Sequence, residues 1–495
     1  MKRFVSFIAI LTVGALLLTG CNITVTPPET SSVPETTAPQ TPEVTIPETI
    51  DLFVDTKSVM DRSNDIPFWV EYPELVPGYR DFAGNVVSSG SDALRQALES
   101  YNENIKKQQA DVEATLRAGT IYAEEDDLLY SKAEAFITRN DTAVLSFFER
   151  IETDYGYVKE GISLRGYTWD AATAKPLTFQ DVFKAPDSLA EVLEQAFREC
   201  HDDISLRENT LKLLQDAVEF GARELSFALG HGCVHIFAED QFLAAAPGAL
   251  HIVLPGELLK EEYALDTESW MMKMPYGVTL PLGDSITAGI HWFSSEEGWG
   301  ELTLAANDET LTEELFNVAP ACYLVYRDSQ YLLFLKQPAA DVSNRSRFYE
   351  FTEDGISFLG YTDTAIREDT SLNPDRVAMD LDNILYLDNF MLLAWSFHTL
   401  DMNGMTRIDD AYGLMSRELM LNADVELASV STEDPTAASG TVTVTSGTLL
   451  TPFRTDMDSY LDLLDGDGKA YRLPIDQYSE DMQFPGYPAP NELFS

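Results

Sequence analysis

The sequence predicts an α+β domain followed by a mostly-β domain of propeller-like or sandwich character. Two observations carry this reading. Over residues 51–265, apolar positions at helical spacing alternate with short strand-like runs. Over residues 270–495, helical spacing gives way to short alternating runs that recur around turn residues. With 45% hydrophobic and 11% aromatic residues the chain can build cores, which excludes a wholly disordered protein. Its 33 basic and 82 acidic residues give a net charge of −49. Such a surface repels phosphate backbones and excludes a nucleic-acid binder. Basic proteins and cations are the electrostatically favoured partners.

In chain order, residues 1–20 come first. Lys2 and Arg3 precede an apolar run from Phe4 to Leu18, and Thr19-Gly20 supplies small residues before Cys21. The run is short for a membrane span, and no second long apolar run follows. Leu18-Thr19-Gly20-Cys21 resembles the lipobox of bacterial lipoprotein precursors. The resemblance implies acylation of Cys21 and attachment to the extracytoplasmic face of the cell membrane, through lipid only. Residues 21–50 are rich in Thr, Pro and Glu and lack Lys, Arg and Gly. Proline stiffness and glutamate repulsion predict an extended stalk.

Cys21 apart, Cys200, Cys233 and Cys322 remain, an odd number that excludes a disulfide scaffold. The spacing predicts a polar surface helix over Asp92–Leu116 and a strand hairpin over 156–170. It predicts helices over 187–201, with a Ser188/Glu191 capping box, and over about 206–220. Cys200 falls on the apolar face of the first of these and reads as a core residue. Strands are expected over 225–237 and 249–254. Beyond 270, paired strands are expected around Arg327-Asp328-Ser329 and Asp354-Gly355, with Cys322 on a strand core. Further strands are expected near the C-terminus, turned at Gly466-Asp467-Gly468.

The segment YTWDAATAKPLTFQDVF, residues 167–183, is similar to the extracellular domain of RsiV-like anti-sigma factors, a module shared with some peptidoglycan deacetylases. The family pattern falls on Trp169, Asp170, Thr173, Lys175, Leu177, Phe179, Asp181, Val182 and Phe183. A second stretch, FALGHGCVHIFAEDQFLAAAPGALHIVLP, resembles the family's closing segment and ends at Leu254-Pro255. The resemblance covers about 155–260. It implies an α+β fold for 51–265 and recognition of lysozyme or peptidoglycan.

Three constellations are candidates for chemistry. Gly283-Asp284-Ser285-Ile286-Thr287-Ala288-Gly289 resembles the nucleophile block of GDS-type esterases and lipases, which makes Ser285 the alternative catalytic residue. Such a serine needs oxyanion donors and a histidine base, and the family's histidine block is missing from the sequence. Asn307 is a partial match to a second block. The plainer reading is a turn followed by the strand Ile286–Phe293. His231, Cys233 and His235 are metal-type ligands that would share one face of a strand. The plainer reading is a hairpin with a packed cysteine. Asp401 to Asp409 resembles an EF-hand loop, but Met405 and Tyr412 stand where oxygen ligands belong, so a hairpin turn at Asn403-Gly404 fits better. Glu124-Glu125-Asp126-Asp127 reads as a solvated turn. The expectation is a non-catalytic surface lipoprotein that binds a basic extracellular protein or cell-wall ligand, with no cofactor and no metal. The alternatives are a serine esterase using Ser285 and a propeller-like interaction scaffold.

Overall fold

The computed structural model describes residues 46–495, apart from 63–65, 120–128, 156–158, 201–204, 207–208, 223, 240–241, 246–249, 265–266, 284, 295–298, 317–318, 337–345, 388–389, 402–403, 416, 435, 437 and 477–482. Cys21, most of the expected stalk and the Glu124–Asp127 turn lie outside the described residues. Residues 47–50, read as the end of the stalk, are tied to the body. Ile50 N–H donates to the Asn140 carbonyl at 2.8 Å, and the Thr49 hydroxyl to the Ser269 carbonyl at 2.9 Å.

The described residues are mostly β, in both halves of the chain, which overturns the expected α+β class. Among the described residues, the helices longer than one turn are Asp92–Gly119, Pro186–Cys200 and Thr210–Phe220. Strands in the first half escape a simple alternation rule because several are covered on both faces. Leu129–Asn140, for instance, is buried at every position from Ala135 to its end, including Thr138, Arg139 and Asn140.

The first sheet runs in the order Leu52–Asp61, Phe68–Arg80, Leu129–Asn140, Val144–Asp154, Lys159–Asp170. Its second and third strands are parallel, and the Asp92–Gly119 helix is the crossover that parallel pairing requires. Leu94, Leu98, Tyr101 and Ile105 recur at helical spacing and bury one helix face on this sheet. The expected hairpin over 156–170 is instead one strand, paired with Val144–Asp154.

A three-stranded sheet, Leu225–Leu229, Cys233–Ala238 and Leu250–Pro255, packs on the two shorter helices. Leu193, Phe197, Leu214, Val234, Ile236 and Ile252 form that core. The strand expected over 225–237 is broken at Gly230–Gly232, where Gly232 takes a φ of 68° that favours glycine. The expected Ser188 capping box is absent because the helix starts earlier, at Pro186, and the Ser188 hydroxyl donates to the Ala185 carbonyl. A capping box does form at Thr178 and Asp181, inside the RsiV-like segment.

In the second half, a four-stranded meander (Val278–Leu282, Ile286–Ser294, Trp299–Ala306, Glu309–Phe316) faces a five-stranded sheet made of Trp270–Lys273, Ala321–Arg327, Gln330–Lys336, Ser346–Thr352 and Gly355–Thr362. Leu280, Ile290, Leu304, Cys322, Leu324 and Phe351 fill the space between them. The other side of the five-stranded sheet, through Tyr323, Val325, Leu332 and Phe334, shares a core with the first sheet and its helix. The described strands beyond residue 363 form one continuous eleven-stranded sheet, from Thr364–Ile366 to Ala438–Val444. Continuity of that sheet corrects the propeller-like expectation, since a propeller needs separate short blades.

Candidate functional site

Ser285 lies in the turn that joins Val278–Leu282 to Ile286–Ser294, with Leu282 paired to Ile286. Its side chain is exposed, and its hydroxyl donates to Glu353 Oε1 on a neighbouring turn. Asn307, in the turn between the third and fourth strands of the same meander, is brought alongside. Its Oδ1 accepts the Thr287 N–H at 2.9 Å, and its Nδ2 donates to the Glu353 carbonyl at 3.2 Å. The two partial esterase blocks therefore meet in space, through Glu353. The group on the serine is a carboxylate rather than an imidazole. His291 is half-buried further along the Ile286–Ser294 strand and pairs with Thr303. At about 3.3 Å per residue it is on the order of 20 Å from Ser285. His398 is buried in the eleven-stranded sheet, with Nδ1 against the Ser396 carbonyl at 3.3 Å.

The histidine–cysteine cluster is built by sheet register. Cys233, His235 and Phe237 alternate onto one side of their strand, while Val234 and Ile236 enter the helix-covered core on the other. The neighbouring strand sets His251 opposite Phe237, diagonal to His235. His235 Nδ1 and His251 Nε2 are 3.0 Å apart, so one donates to the other. Cys233 Sγ is 3.7 Å from His235 Nε2. Phe148 and Phe237 close around the pair. His231 precedes the strand and stacks on the Trp270 ring, with centroids 4.2 Å apart.

Burial holds His235 neutral, pushing its pKa down to about 3, with a smaller push from His231. Burial, then His235, lowers His251 well below the ordinary imidazole range. Cys233 is almost wholly covered. Among the described residues, no group of three His, Cys, Asp or Glu is arranged to hold a metal ion. The arrangement is a neutral hydrogen-bonded pair wedged between sheets. His251 was missed from sequence because it is a lone histidine in an apolar strand. Only the pairing of Leu250–Pro255 with Cys233–Ala238 reveals it.

The strands Phe390–Asp401 and Gly404–Arg407 pair with Asp401 opposite Gly404; residues 402 and 403 of the expected turn lie outside the described residues. In the RsiV-like segment, the Asp170 carboxylate accepts both the N–H and the hydroxyl of Thr173 at 2.7 Å, which fixes the turn before Lys175. Cys322 is buried on its strand, and burial pushes its thiol up to about 12. No described helix is long and apolar enough to cross a membrane.

No family model matches the chain, and no curated protein matches it. Two solved structures of DUF3298 family proteins are similar to it. One, from Bacteroides fragilis, is 12% identical over 43% of this chain and 94% of that one, with a TM-score of 0.30. The other, from Pseudomonas aeruginosa, is 12% identical over 44% of this chain and 97% of that one, with a TM-score of 0.28. DUF3298 denotes a domain of unknown function.

Proposed function

We propose that the protein is a cell-surface lipoprotein, held by lipid on Cys21, whose acidic body binds a basic extracellular protein or cell-wall ligand without catalysing a reaction. The observation that carries this reading is Leu18-Thr19-Gly20-Cys21 at the end of an apolar leader, followed by a Thr/Pro/Glu-rich stretch. Two further observations favour binding over catalysis. Ser285 bonds to the Glu353 carboxylate, a weaker base than the imidazole that the esterase pattern requires. His235 and His251 are enclosed and neutral.

The RsiV-like pattern over 167–183 makes lysozyme the first ligand to test. A net charge of −49 would steer such a basic partner, raising its association rate more than its affinity. Calorimetric titration with lysozyme at low and at physiological salt is the direct test. Binding that weakens with added salt is expected, and no heat at either salt removes lysozyme as the ligand. Ester hydrolysis that disappears in Ser285→Ala would replace the non-catalytic reading with the esterase one.

A further inference from the structure

A cavity of about 300 Å³ opens where three sheets meet, at the lower end of the size range of small-molecule sites. The edge strand of the first sheet contributes Val54, Asp55 and Thr56. The sheet facing the meander contributes Lys336. The eleven-stranded sheet and its first turn contribute Arg367, Glu368, Asp369, Asp380 and Met415. The lining is thus mostly charged, with Val54 and Met415 as its apolar walls.

Arg367, one of the lining residues, is committed to its neighbours. Its Nε and Nη2 donate to the two oxygens of Asp369, at 2.9 and 3.2 Å, and its Nη1 donates to Asp380 Oδ1 at 3.1 Å. The guanidinium also lies over the Trp395 ring, 5.0 Å from its centroid. Arg80 joins Asp55 at 2.6 Å and Asp369 at 3.6 Å. Lys57 also reaches Asp55, but divides its charge with Glu74.

Three groups are left to meet a ligand. Asp380 uses one carboxylate oxygen on Arg367, which leaves the other as an acceptor. Lys336 reaches Glu368 only at 4.0 Å, and Glu368 is 84% exposed at the mouth. The lining carboxylates Asp55, Glu368, Asp369 and Asp380 outnumber the lining cations Lys336 and Arg367, and Arg80 and Lys57 flank the cavity on Asp55.

We propose that this cavity binds a dibasic amino acid, such as L-lysine. The ligand's two ammonium groups and one carboxylate match the two acceptors, Asp380 and Glu368, and the one donor, Lys336. Its side-chain ammonium would take the second oxygen of Asp380, and its aliphatic stem would lie along Val54 and Met415. Its carboxylate would meet Lys336, and its α-ammonium Glu368. The inference does not depend on the lipid anchor, on lysozyme or on the absence of catalysis.

Calorimetric titration of the full chain tests it, with L-lysine, L-norleucine, which lacks the side-chain ammonium, and cadaverine, which lacks the carboxylate. L-lysine should bind, and the other two should bind at least about ten-fold more weakly, since each loses a charge-assisted contact. Asp380→Asn and Lys336→Met should each weaken lysine binding by about ten-fold or more. Thermal melts of both variants check that the fold survives, and Lys336→Met leaves the Arg367 network intact. No lysine binding at millimolar concentration overturns the proposal. So does lysine binding that is unchanged in a folded Lys336→Met protein.

Discussion

Ser285 sits exposed at the end of a hairpin, whereas His235 is fully buried between two sheets. Both positions were singled out by short sequence patterns, and their neighbours decide what each can do. At the Ser285 turn, water competes for every polar contact, so the hydroxyl–carboxylate bond contributes little to stability. At His235, the same kind of polar atom has no water to return to. Its hydrogen bond to His251 is therefore costly to break, and its charge is costly to create. A motif read from sequence gives residue types; burial sets whether they serve chemistry or packing.

Removing His235 is the strongest way to break this contrast. His235→Ala would open a cavity beside Phe148 and Phe237 and strand His251 without its partner. A loss of about 3 kcal/mol is expected in urea unfolding. A loss under about 0.5 kcal/mol, the size usual for surface changes, would show that the pair is not packed as described.

Acid sensitivity follows from the same burial. Folded His235 stays neutral down to about pH 3, whereas the unfolded chain takes up the proton near 6.5. The stability is present in full above that upper value and is lost progressively as pH falls from 6.5 towards 3. At pH 5 the loss from His235 alone is about 2 kcal/mol. Unfolding free energies of wild type and His235→Leu, compared between pH 7 and pH 5, should diverge by that amount. Parallel curves would mean that His235 is accessible to protons in the folded state.

Gly230 sharpens the comparison from the backbone side. A Cβ there would stand 2.6 Å from Cys233 Sγ and 3.0 Å from His235 Nε2. Gly230→Ala should cost about 1–2 kcal/mol through overpacking, while an alanine that melts with the wild type would imply slack around the pair. Smallest of all, Ser285→Ala should change stability by less than about 0.5 kcal/mol. A larger loss would give the Ser285–Glu353 contact a structural weight that its exposure argues against.

Much of the helical content was legible. The Leu94, Leu98 and Ile105 spacing places the long helix, and Gly221 ends the Thr210–Phe220 helix with a φ of 77°. The hairpins around Asp328-Ser329 and Asp354-Gly355 follow from alternation and turn residues. The fold class did not follow, because sheet order is set by pairings between segments far apart. The parallel match of Phe68–Arg80 with Leu129–Asn140 spans the whole intervening helix. For the same reason the sequence placed His231, Cys233 and His235 together but not His251, and Ser285 near Asn307 but not beside Glu353. The charged cavity was wholly illegible, since its lining comes from three sheets and from positions 54 to 415.

The proposed lipid anchor at Cys21 bears most directly on the proposed function. Cells supplied with labelled palmitate and expressing wild type or Cys21→Ala provide the measurement. Label on the wild type, and neither label nor membrane retention in Cys21→Ala, is the expected result. An unlabelled wild-type protein, or a Cys21→Ala protein that stays equally membrane-bound, would contradict a lipid-held surface protein.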